Sequence, residues 1–100
     1  MKKRRKPLKI FRVFIFDKNK ENRQRLLLIF KEDIIKKVNR TSYAVKIFLI
    51  RSPKELAKKM QGSGHCLVII SSKTDIEKEL QDTYYEVCQN TSIITIQIDL

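Results

Sequence analysis

Five apolar residues stand in an unbroken run at Cys66, Leu67, Val68, Ile69 and Ile70, between Gly64 and Ser71. A strand with one wet face alternates apolar and polar letters, because successive side chains point to opposite faces. A strand with no polar letter must be covered on both sides, and the fold that does this is a parallel sheet between two layers of helix. The rest of the chain supplies the parts. Leu8 to Phe16, Tyr43 to Ile50 and Ile93 to Ile98 are rich in β-branched and aromatic residues and read as three more strands. Between them lie three helical patterns. The first runs from about Asn19 to Asn39, with Leu26, Leu27, Phe30, Ile34 and Val38 at helical spacing, and opens at Asn19 or Lys20. The second starts at Ser52-Pro53-Lys54-Glu55, which combines an N-cap serine, a proline at the first helical position and a glutamate at the third, and it ends near Gln61-Gly62-Ser63-Gly64. The third starts at Thr74-Asp75-Ile76-Glu77 and carries Ile76, Leu80, Tyr84 and Val87 on one stripe. Strand and helix alternate over short connections, so the crossovers are right-handed and the strands parallel.

A length of 100 residues with 42% apolar letters leads to the expectation of one small domain with a real core rather than two domains. Residues 1–7 read as a basic flexible tail and residues 8–100 as the domain. The net charge is +11, of which Lys2, Lys3, Arg4, Arg5 and Lys6 contribute five charges. That run has no aromatic residue on which bases could stack, so as a polyanion-binding tail it would touch phosphates alone, giving weak, sequence-independent nucleic-acid binding. Its other readings are a solubilising segment and, in a eukaryotic host, a nuclear-import signal. No apolar run approaches the roughly 18 residues of a membrane helix, and Lys9 and Arg12 interrupt the stretch after the basic start, which argues against a signal peptide. The expectation is a cytoplasmic protein without membrane contact. Cys66 and Cys88 lie far apart without C-x-x-C spacing and read as reduced thiols, and with His65 as the single histidine no multi-ligand metal site can be assembled. No glycine-rich phosphate loop or nucleophile elbow is present, so neither nucleotide binding nor hydrolase chemistry is expected, and no cofactor.

In open parallel sheets functional groups gather at the carboxyl ends of the strands, which directs attention to Asp17 to Asn19, Ile50 to Ser52, Ser71 to Lys73 and Gln97 to Asp99. The segment Val13-Phe14-Ile15-Phe16-Asp17-Lys18-Asn19-Lys20-Glu21-Asn22-Arg23 resembles the opening of a response-regulator receiver domain, in which an apolar strand ends in an acidic pair followed by Asn and then Asn-Arg in the first helix. The later rhythm is similar along nearly the whole chain. The resemblance implies a three-layer, flavodoxin-like α/β fold: a four-stranded parallel sheet in the order 2-1-3-4 with three helices, shortened after the fourth strand. Receivers use the acidic pair to hold magnesium and an aspartate on the third strand to accept phosphate. Here the second acid is Lys18 and the acceptor position is Ser71, while the switch position on the fourth strand is Thr95 or Gln97. Asp17, Lys18, Ser71 and Gln97 thus form a degenerate receiver pocket, with Lys18 leaning toward Asp17 in place of a metal. Asp17 also reads as an ordinary turn acid, and Ser71 as a turn residue.

The resemblance implies a non-enzymatic pseudo-receiver, a regulatory module that works by protein–protein binding without phosphorylation. The alternative is a small basic nucleic-acid-binding protein. With the first helix alone covering one face of the sheet, an apolar strip along the third and fourth strands is expected to stay exposed, with the fourth strand's isoleucines facing it. These are Ile94, Ile96 and Ile98, or their alternates Ile93, Thr95 and Gln97, and they form the interaction edge for a protein partner or a homodimer.

Overall fold

The structure, a computed structural model, describes residues 9–34, 43–87 and 91–100. Its strands are β1 (Lys9–Phe16), β2 (Tyr43–Ile50), β3 (Gly64–Ser71) and β4 (Thr91–Ile98), and its helices are α1 (Lys20–Ile29), α2 (Pro53–Met60), α3 (Ile76–Glu79) and α4 (Gln81–Val87). All neighbouring strands are parallel, in the order β2-β1-β3-β4, so the α/β flavodoxin-like layout expected from the sequence is the fold. Among the described residues no helix is long and apolar enough to cross a membrane. The basic run Lys2 to Lys6, Val38 and Cys88 lie outside the described residues.

The two faces of the sheet build two cores. Phe14, Phe16, Ile50, Cys66, Val68 and Ile70 point to the side where Leu56 and Met60 of α2, Leu80, and Val87 of α4 close over them. Val13, Ile15, Leu67 and Ile69 point to the other side, where Leu26 of α1 and Phe30 cover them. Val68 and Ile69, adjacent on β3, are both fully buried although they face opposite ways, as an unbroken apolar strand requires.

Helix boundaries follow local chemistry, with two departures from the sequence reading. Asn19 caps α1, its side chain accepting from the Asn22 N–H at 3.0 Å, and the helix widens into a single π turn at Phe30–Ile34. Ser52 caps α2 as expected, accepting from the Glu55 N–H at 3.2 Å, while the Glu55 carboxylate takes the Arg51 N–H at 3.0 Å. That helix ends in a type II turn: Gln61 sits at φ −58°, ψ 129°, Gly62 at φ 74°, and the Ser63 N–H donates to the Met60 carbonyl at 3.0 Å. The first departure is the cap of α3. It is Asp75, accepting from the Lys78 N–H at 3.2 Å, because the Thr74 hydroxyl is drawn into the buried Ser71 turn. The second is that the single helix expected over Ile76 to Val87 is two, divided at Leu80 with φ −121° and ψ −7°. The division disturbs few backbone bonds, since the Leu80 N–H still reaches the Ile76 carbonyl and the Tyr84 N–H the Leu80 carbonyl. Ile76, Leu80, Tyr84 and Val87 all pack on one core, so the stripe survives the break.

Candidate functional site

β1 and β3 are neighbours in the centre of the sheet, and their carboxyl ends bring Asp17 and Lys18 beside Ser71. A cleft of about 180 Å³ lies between them, with Asn22, Lys73, Thr74 and Glu79 also on its walls. Three of the four residues of the expected pocket are therefore together. Gln97 is apart from them: it is exposed on β4 and is not among the residues lining the cleft.

Several polar groups in the cleft are tied to one another. The Asp17 carboxylate accepts from the Asn19 N–H at 2.8 Å, closing an Asx turn, and from the Asn22 side-chain amide at 3.4 Å. Its backbone carbonyl accepts from Nη1 of Arg23 at 2.6 Å, and its N–H donates to the Ile50 carbonyl at 3.3 Å. Arg23 is buried, so its guanidinium fastens α1 to the end of β1 in a place where an unpaired charge would be costly. Lys18 does not lean toward Asp17 as expected. It spans the cleft to α3, where its Nζ lies 2.9 Å from Oε1 of Glu79.

Ser71 is buried and occupied. Its Oγ accepts from the Lys73 N–H at 3.2 Å and lies 3.4 Å from the Thr74 hydroxyl, and its carbonyl accepts from the Thr74 N–H at 3.0 Å. A serine nucleophile needs a base within hydrogen-bond reach, and these contacts supply none. His65 stands at the opposite end of β3, roughly 20 Å away at the usual rise of a strand. Among the described residues no group of three or more His, Cys, Asp or Glu side chains could hold a metal ion. In chemical terms the described bonds of the cleft are local turns at Asp17 and Ser71 and the Lys18–Glu79 ion pair.

The second feature is the side of β4. Ile94, Ile96 and Ile98 share the face of α1, and the set Ile93, Thr95 and Gln97 takes the other. Ile96 and Ile98 pack partly against the α1 core, whereas Ile94 is 61% exposed. On the opposite face the Thr95 hydroxyl is 3.0 Å from the hydroxyl of Tyr84, which anchors β4 to α4. Burial raises the Tyr84 pKa; the Thr95 bond opposes this, and nearby Cys66 adds to it. Cys66, in the same core, is pushed up by burial to about 11, so its thiol is protonated and inert near neutral pH.

Sequence reasoning missed Glu79 and the anchoring role of Arg23. The Asn22-Arg23 pair was visible as part of the resemblance, but nothing in the sequence marked Glu79 among the chain's acids. No protein-family model, curated protein or solved structure matches the chain.

Proposed function

We propose that this chain is a non-catalytic regulatory module, a pseudo-receiver that acts by binding a protein through the side of β4 and carries out no phosphoryl transfer. The observation that carries this reading is the state of the strand-end cleft, where Lys18 is paired with Glu79, and Asp17 Oδ1 and Ser71 Oγ each accept a backbone N–H of their own turn. A cleft that receives magnesium and a phosphoryl group needs several carboxylates facing open space. Here an ammonium holds the position of one carboxylate and a buried hydroxyl that of another. The exposed Ile94 and the open edge of β4 support the binding half of the proposal.

The test is a titration of isotope-labelled protein with magnesium and beryllium fluoride, following amide resonances. The expected result is no saturable shift at Asp17, Lys18 or Ser71. Saturable, site-specific shifts at millimolar metal would overturn the proposal.

The net charge of +11 favours a second reading, a nucleic-acid-binding protein using Lys2, Lys3, Arg4, Arg5 and Lys6. Five adjacent cations release about five counterions, giving a log–log salt slope on duplex DNA on the order of −4 to −5. If that slope disappears from a chain beginning at Pro7, the tail is the binding element. Equal affinity of the two chains makes the tail irrelevant to DNA.

A further inference from the structure

β4 is an edge strand of unusual composition. In a sequence with 33% charged residues, Thr91–Ile98 contains no Lys, Arg, Asp, Glu or Pro. Edge strands are ordinarily guarded against pairing by charges, prolines or bulges. The other edge, β2, has such a guard in the exposed Lys46. β4 has none, and it keeps an uncharged surface in a molecule whose overall charge would otherwise repel a second copy.

The backbone identifies which groups this edge offers. The Ser72 N–H donates to the Ile98 carbonyl at 2.9 Å, so Ile98 turns its backbone groups toward β3. Alternation along the strand turns those of Ile96 and Ile94 the same way, and sends those of Ile93, Thr95 and Gln97 to the open edge. In an antiparallel pair the residues that exchange hydrogen bonds stand opposite one another, and the pairs between them exchange none and bring their side chains closest.

We infer that β4 pairs antiparallel with β4 of a second copy of this chain, about a two-fold axis through Ile96. This rests on the proposed role of the β4 side and names its partner. In that register Ile96 stands opposite Ile96 of the second copy and Ile94 opposite Ile98, so all three isoleucines meet isoleucines at the close, non-hydrogen-bonded positions. Thr95 and Gln97 exchange the backbone bonds. The axis is perpendicular to the sheet, so the α1 faces of both copies lie on the same side and the isoleucine strip becomes continuous between them. Moving the axis to Ile94 sets Ile96 against Ser92. Moving it to Ile98 leaves Ile94, the most exposed of the three, outside the overlap. The product is one sheet of two four-stranded halves joined at β4. Charge repulsion between the copies is screened beyond about 8 Å at physiological salt, so added salt favours the pair.

Light scattering behind size exclusion, at micromolar concentration and moderate salt, tests the association on the unaltered chain. The expected mass is twice the 11.9 kDa of one chain. Disulfide trapping tests the register, since the roughly 4.5 Å between Cα atoms of a non-hydrogen-bonded pair suits a disulfide. Under mild oxidation Ile96→Cys cross-links with itself, Ile94→Cys alone does not, and Ile94→Cys mixed with Ile98→Cys does, each measured above the background of the unaltered chain. A single-chain mass overturns the inference, as does cross-linking of Ile94→Cys alone as readily as Ile96→Cys. Neither outcome touches the reading of the cleft, which stands or falls on the magnesium titration.

Discussion

Phe30 is the residue on which the cover of one sheet face depends. It is fully buried against Val13, Ile15, Leu67 and Ile69, together with Leu26, while most of α1 is polar. Truncation to alanine removes the transfer free energy of a whole aromatic ring and leaves a cavity, because a helix tied to β1 through Arg23 and Asp17 cannot slide in to fill it. Together these cost about 3–5 kcal/mol. With a urea slope of about 2 kcal/mol per M, the unfolding midpoint falls by about 2 M. The control is Leu28→Ala two residues earlier on the same helix. Leu28 is 58% exposed, so its loss changes stability by about 0.5 kcal/mol or less. Phe30→Leu leaves a smaller cavity and keeps the effect measurable if the alanine variant is largely unfolded. The assay is urea denaturation of all three variants, followed by circular dichroism. If Phe30→Ala costs no more than Leu28→Ala, α1 is not seated on the sheet as described and the two-core arrangement is wrong.

Cys66 makes stability depend on alkaline pH. Its folded pKa of about 11 lies above the ordinary value of 9.0, so its contribution is complete below pH 9 and is lost as pH rises toward 11. Urea midpoints of the parent and of Cys66→Ala, compared across that range, should converge as pH rises; parallel curves would contradict the burial of the thiol. Gly62→Ala tests the turn after α2. No atom lies within 4 Å of a Cβ added there, so the cost is the strain of φ 74° alone, about 1 kcal/mol by urea denaturation. A neutral substitution would mean that the type II turn is not held.

Local chemistry explains what could be read directly from the residues. The unbroken run at Cys66 to Ile70 demanded cover on both faces, and a run of that kind between two helical patterns leaves few alternatives to a parallel sheet. The Ser52 cap and the Gly62 turn were legible for the same reason: each depends on bonds between residues no more than a few positions apart. Even there, proximity in sequence left ties to be broken. Thr74 and Asp75 are both good caps, and the choice fell to Asp75 only because the Thr74 hydroxyl was needed beside Ser71. On β4, Ile93 and Ile94 are identical in type and adjacent, so periodicity could not say which set faces α1; the pairing with β3 decided it. Lys18 illustrates the general limit. Its sequence neighbours include Asp17, yet its partner is Glu79, from a helix two crossovers later. Periodicity and capping are governed by backbone geometry over a turn or two of chain. The choice of an ion-pair partner, the break at Leu80 and the burial of Arg23 are governed by where the packed layers bring distant segments together, and only the assembled sheet supplies that information.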